Sequence, residues 1–226
     1  MTVCGRYTLF SEFAELVERF QIGSAIEEDE YIYSYNIAPS HEVLSVINDG
    51  KQNRMGFLRW GLIPAWAKDE KIGYKTINAR AETLAEKPSF RNAFKKKRCL
   101  ILADSFYEWQ RNDEVKTPMR IKMKTNEPFG MAGLWESWKS PHGKTIYSCT
   151  VITTKPNKLM STIHDRMPVI LKREDEAAWL NPAISDTDYL HQFLKPFDEK
   201  QMEAFQVSSE VNSPKNNGVH LIREIC

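Results

Sequence analysis

No apolar run in this 226-residue chain approaches the roughly 18 residues that a membrane-spanning helix needs. The N-terminus has no basic stretch leading into an apolar core, so no secretory signal is read there. Neither charge sign is in excess: 31 lysines and arginines face 30 aspartates and glutamates, a net +1. That balance excludes a protein that holds duplex DNA by bulk charge alone. No glycine-rich phosphate loop follows an expected strand, so nucleotide-dependent chemistry has no support. Internal repeats, low-complexity stretches and Gly/Pro-rich linkers are also missing. Cysteine is scarce: the four are Cys4, Cys99, Cys149 and Cys226, with no C-x-x-C pair. A zinc site of the usual spacing is therefore not expected, and no metal or other cofactor is assigned. With no export signal, the expected compartment is the reducing cytoplasm, where disulfides are rare.

The chain is 42% hydrophobic. At this length a protein buries about 70–75% of its unfolded surface and folds without disulfides or metal. Ser11 is a helix cap ahead of Phe13, Leu16, Val17 and Phe20 at helical spacing. Val43–Ile47 and Met55–Trp60 read as a hairpin across Asn48-Asp49-Gly50. Helices are expected over Ala79–Glu86 and Ser89–Lys95, bounded by Pro88. Strands then dominate: Arg98–Ala103, buried on both faces, Ser105–Gln110 before a turn at Arg111-Asn112-Asp113, the Met119–Met123 alternation, and a hairpin from Phe129 to Thr153. Helices return at Pro156–Met160, Glu174–Leu180 and Asp186–Leu194, with a last strand at Met202–Val207. Elements mixed without regular alternation point to one α+β domain over 1–226, mostly antiparallel, with residues from about 215 as a C-terminal tail.

Three segments set reactive side chains among apolar neighbours: Thr76–Glu82, Ala103–Trp109 and Thr162–Pro168. A buried carboxylate or imidazole is costly unless paired. Glu108, between Tyr107 and Trp109, is a candidate for a raised pKa, or one half of a structural ion pair with Arg166. His164 is a candidate acid or base, being of the one side-chain type that changes charge near neutral pH, or is a hydrogen-bonded neighbour of Asp165. Asn78 is a site residue or a turn residue. Cys4 is either a small packed residue or, beside the cation of Arg6, a reactive thiol. Trp60, Trp66 and Trp109 are core residues or stacking platforms for nucleobases. The basic run Lys95–Arg98 is a solvated helix end or a phosphate track.

The motifs Cys4-Gly5-Arg6-Tyr7, Tyr35–Pro39, Arg59–Pro64, Asn78–Glu82, Ser105–Trp109 and His164–Pro168 occur in that order. Together they closely resemble the SRAP family, the SOS-response-associated peptidases or abasic-site processing proteins, in a bacterial member. The resemblance extends to about Asn212-Ser213-Pro214. It implies a strand-rich, barrel-like core and covalent capture of abasic sites in single-stranded DNA, including DNA at replication forks. The implied catalytic set is Cys4, Asn78, Glu108 and His164. The implied DNA-facing set is Arg6, Asn36, Trp66, Arg80, Trp109 and Arg166. A cytoplasmic, nucleoid-associated monomer with no membrane partner is expected, together with a lyase side activity.

The chemistry accounts for the residue types. An α-amine, with a pKa of about 7.7–8.0, attacks an aldehyde to give a Schiff base. The thiol of the same residue then closes a thiazolidine, an intramolecular step with an effective molarity on the order of 10⁵–10⁸ M. Met1-Thr2-Val3 precedes Cys4 and makes its nitrogen an amide. Self-cleavage of the Val3–Cys4 bond would expose the amine. So would initiation at position 3 followed by Met removal. A general Cys4–His164 peptidase and a non-covalent single-stranded DNA binder are the competing readings.

Overall fold

The computed structural model describes residues 4–112 and 115–225. In chain order the elements are β1 (Tyr7–Leu9), α1 (Phe13–Arg19), β2 (Ile22–Ser24), β3 (Ser34–Ile37), β4 (Glu42–Asn48), β5 (Asn53–Trp60), β6 (Asn78–Arg80), α2 (Arg91–Lys96), β7 (Arg98–Ala103), β8 (Ser105–Asn112), β9 (Val115–Met123), β10 (Phe129–Lys139), β11 (Thr145–Thr154), β12 (Met167–Pro168), α3 (Arg173–Leu180), α4 (Thr187–His191) and β13 (Met202–Gln206). The expected leader Met1-Thr2-Val3, the end of the Arg111-Asn112-Asp113 turn and Cys226 lie outside the described residues.

Five strands close a barrel. β11 pairs β10, β10 pairs β7, β7 pairs β4, β4 pairs β5, and β5 returns to β11. Closure removes the exposed edge that an open sheet would carry. The expected α+β, mostly antiparallel barrel is the observed architecture. The closing contact is parallel, however, with Ser148 opposite Arg59 and Cys149 opposite Trp60. A second, antiparallel sheet of order β13-β9-β8-β1-β3 lies beside the barrel. Among the described residues no helix is long and apolar enough to cross a membrane.

β7 is buried at all six positions. Burying each large aliphatic side chain contributes about 1.5–3 kcal/mol. Its outer side is covered by α3, whose Trp179 indole donates to the Cys99 carbonyl at 3.0 Å. Arg98 is buried, and its guanidinium donates to the carbonyls of Phe94, Lys95, Trp179, Asn181 and Ile184. It therefore fastens the ends of two helices and is not a phosphate contact. Trp60 is core as well: 1% exposed, 5.4 Å from the Tyr7 ring, and bonded to the Ile77 carbonyl.

Several local expectations are overridden by tertiary pairing. The helix expected over Ala79–Glu86 is strand β6 followed by one 3₁₀ turn, because Asn78–Arg80 adds in parallel to β11. Pro156–Met160 is not helical; a 3₁₀ turn follows at Met160–Thr162. Ser11 does not cap α1, since its hydroxyl donates to Asp104 Oδ1 at 2.5 Å. Within the expected C-terminal tail from about residue 215, Leu221 is buried with Tyr107, Val207 and Val211 in a small second core.

The loop carrying Trp66 is pinched at its base by two glycines. Gly61 has φ +129°, and a Cβ there would lie 2.7 Å from the Gly73 carbonyl oxygen. Backbone strain of this kind costs about 1–3 kcal/mol. Gly61→Ala is expected to lower the melting temperature by several degrees, at about 2–4 °C per kcal/mol for a chain of this size. An unchanged melting curve would reject that account.

Candidate functional site

The period of β8 places Glu108. Successive strand residues face opposite sides, so Phe106, Glu108 and Gln110 share one face while Tyr107 and Trp109 share the other. Phe106 belongs to the main core, and Tyr107 to the small second core. Glu108 thus projects with the barrel-facing row and is 2% exposed. β1 pairs antiparallel to β8 with Tyr7 opposite Phe106, so the arm preceding β1 runs alongside Glu108. There the Cys4 main-chain N–H donates to Glu108 Oε1 at 2.6 Å. Cys4 adopts a left-handed φ of 48° and is buried.

Burial raises the Glu108 carboxyl above the ordinary range, while His164 and the Cys4 N–H pull it down by less. The carboxyl therefore holds its proton to higher pH than an exposed glutamate. Burial also pushes the Cys4 thiol well above its ordinary value, with Glu108 adding to the rise and Arg166 opposing it. This corrects the expectation of a thiolate favoured by the Arg6 cation. The resting sulfur is a neutral thiol, and the Arg6 guanidinium points elsewhere.

His164 and Arg166 come from the loop after the Met160–Thr162 turn. Asn157 is buried and holds that loop, accepting from the Met160 N–H at 2.8 Å and donating to the Phe197 carbonyl at 2.8 Å. Gln110, two residues along the same face as Glu108, donates to the Thr162 carbonyl at 2.8 Å. His164 Nδ1 lies 3.2 Å from the Arg166 N–H and 2.9 Å from Asp165 Oδ1. One nitrogen cannot accept from the amide and donate to the carboxylate together, so ring protonation decides which bond forms.

Arg166 is bidentate to Glu82, at 2.7 and 2.9 Å, and donates to the Thr153 carbonyl at 2.6 Å. Its carboxylate partner is therefore Glu82 and not Glu108. Hydrogen bonding from Arg166 holds the Glu82 carboxyl below the usual range. Asn78 and Arg80 stand on β6 opposite Val151 and Thr153, beside the strand that anchors Arg166. Cys4 thus lies within electrostatic reach of Glu108, Asp165 and Arg166, and Glu108 within reach of His164.

The expected DNA-facing residues divide in two. Trp66, 58% exposed, and Arg80 are on the surface. The other four bond within the protein, Asn36 and Arg166 buried, Arg6 and Trp109 half-buried. Asn36 is 1% exposed, and its amide donates to the carbonyls of Val211, Ser213 and Asn216. Arg6 donates to Asn36 Oδ1 at 2.8 Å and to the Val211 carbonyl at 2.6 Å. Trp109 donates to Asn212 Oδ1 at 2.7 Å. Arg166 is held as described. Sequence reasoning did not single out Glu82, Gln110, Thr153 or Asn157. Gln110 left a signal in its two-residue spacing from Glu108, and Glu82 in closing the motif Asn78–Glu82.

Comparison with known proteins places this arrangement. The family described as SOS response associated peptidase (SRAP) matches residues 3–214. The abasic site processing protein YoqW of Bacillus subtilis is 62% identical over 97% of this chain and 99% of its own length. YoaM of the same organism, also called an abasic site processing protein, is 57% identical over 97% of both chains. A crystal structure of a Bacteroides thetaiotaomicron protein superimposes with a TM-score of 0.90 at 28% identity, covering 99% of this chain and all of that one.

Proposed function

Because the chain belongs to the SOS response associated peptidase (SRAP) family, whose similar Bacillus relatives are abasic site processing proteins, we propose that it captures abasic sites in single-stranded DNA as a covalent thiazolidine on Cys4. The observation that carries this reading is the 2.6 Å contact between the Cys4 nitrogen and the buried Glu108 carboxyl. It sets a proton-exchanging group on the atom that must become a nucleophilic amine.

The first event exposes that amine. Hydrolysis of the Val3–Cys4 bond adds water across it, releasing Met-Thr-Val and leaving the Cys4 amine; initiation at position 3 with Met removal reaches the same terminus. The amine attacks C1′ of the open-chain sugar aldehyde, forming a carbinolamine. Glu108 takes a proton from the nitrogen and returns one to the hydroxyl, which leaves as water, giving the imine. The Cys4 sulfur then adds to the imine carbon, the S–C bond forms, and the thiol proton passes to the nitrogen by way of Glu108. His164 Nε2 assists proton exchange on the sugar side, and Asn78 orients the sugar. Trp66 and Arg80 are the surface residues offered to the strand. The same imine permits β-elimination, which is the proposed lyase side reaction.

The test joins a denaturing gel with intact-mass analysis. Abasic single-stranded DNA is expected to give an adduct that survives denaturant, and the protein in it is expected to lack Met-Thr-Val. An adduct-forming protein that keeps those three residues would overturn the amine mechanism. Hydrolysis of unrelated peptides would favour a general peptidase, and binding fully reversed by salt would favour a non-covalent DNA binder.

A further inference from the structure

Once residues 1–3 are removed, the proposed nucleophile stands on a three-residue arm, Cys4-Gly5-Arg6, ahead of β1. Chain termini fray unless they are tied down. The Tyr107 N–H to the Arg6 carbonyl at 2.9 Å and the Cys4 N–H to Glu108 tie this arm to β8, and the Cys4 thiol also hydrogen-bonds Glu108. Further ties run to β3 and to the far end of the chain. Arg6 Nη1 reaches both Asn36 Oδ1 and the Val211 carbonyl, a span of 205 residues in sequence. Asn36, itself buried, uses its amide nitrogen on Val211, Ser213 and Asn216. The Arg6 guanidinium lies 5.9 Å from the Trp109 ring centre, and that indole donates to Asn212.

We infer that residues 211–216 form a clasp on the N-terminal arm, and that Arg6 and Asn36 are positioning residues which hold Cys4 on Glu108 independently of any DNA contact. This rests on the amine mechanism proposed above and adds the device that keeps the amine in register. The geometry calls for a planar cation: Arg6 Nη1 meets both acceptors while the guanidinium lies over the Trp109 ring, and a lysine ammonium has no planar face to lay there. A phosphate contact makes no such demand, since lysine binds phosphate as a point charge.

The test uses a substrate without phosphate. Full-length protein, processed to Cys4, is mixed with acetaldehyde, and intact mass follows the gain of one aldehyde less one water. Arg6→Lys and Asn36→Ala are each expected to slow this gain by at least about tenfold, since a misplacement near 1 Å costs on the order of 10²-fold. With abasic DNA the same variants are expected to lower the limiting rate, while half-saturating DNA and salt dependence stay as in the parent. Trp109→Phe, which leaves a smaller aromatic face for Arg6 and removes the indole N–H that bonds Asn212, serves as the milder variant should Asn36→Ala not fold. Variants that match the parent with acetaldehyde and lose only DNA affinity would overturn the clasp and make Arg6 a phosphate contact. A parent protein that gains no acetaldehyde mass would overturn the amine mechanism, and the clasp with it.

Discussion

Cys4→Ala is expected to abolish the denaturation-resistant adduct with abasic single-stranded DNA, the largest effect of any single substitution in this chain. The side chain removed is the only one able to close the ring, because the thiol must share an α-carbon with the attacking amine. Cys99 and Cys149 do not substitute for it, since both are buried within the strands of the barrel and have amide nitrogens. Cys4→Ser separates the two steps. It keeps the amine and is expected to give an imine that borohydride traps, with no stable adduct in the absence of reductant. A Cys4→Ala protein that forms the adduct at the parental rate would reject the assignment. Because the resting thiol is neutral, alkylating reagents are expected to label Cys4 slowly near neutral pH, so reactivity here comes from placement and not from a depressed thiol pKa.

Glu108→Gln is expected to slow adduct formation by about 10²-fold or more, the usual size of a general acid–base contribution. Gln keeps the volume and a hydrogen bond to the Cys4 nitrogen but exchanges no proton. The pH dependence follows from the direction of the Glu108 shift. Dehydration of the carbinolamine needs the carboxyl protonated, and burial keeps that proton on to higher pH than in an exposed glutamate. This requirement is lost as pH rises through the raised value. The opposite requirement, a neutral amine, is gained as pH rises through the α-amino range of about 7.7–8.0. The parent is thus expected to show a bell-shaped rate profile, and Glu108→Gln only the rising limb. Equal profiles for the two proteins would remove Glu108 from the mechanism.

Glu82 illustrates how the site is supported from outside its reacting groups. It fixes Arg166 in a bidentate pair while Arg166 also holds the Thr153 carbonyl on β11. Arg166 is the one cation among the strongest influences on the Cys4 thiol, and it opposes the rise due to burial. The salt bridge therefore couples the end of a barrel strand to the electrostatics of the Cys4 thiol.

Much of this was legible in the residues alone. The β7 run, the hairpin of β10 and β11, and the alternation of β8 follow from hydrophobic period, which local chemistry writes directly into the chain. Glu108 was legible as a carboxyl among aromatics, and Cys4 through its motif. The Ala79–Glu86 segment was misread because helix propensity is a weak preference that pairing with β11 overrides. Arg6 and Asn36 are expected to face DNA from the family resemblance, and a motif does not reveal which protein groups they also bond. Both donate to the Val211 carbonyl, 205 and 175 residues away in sequence. Composition and period thus determined the fold class and most of the strands, and the ordered motifs gave the candidate site residues. The parallel β5–β11 closure, the partner of each charge and the raised pKa of Glu108 and Cys4 were decided only in three dimensions. They depend on which distant groups share a desolvated space, and linear spacing carries no record of that.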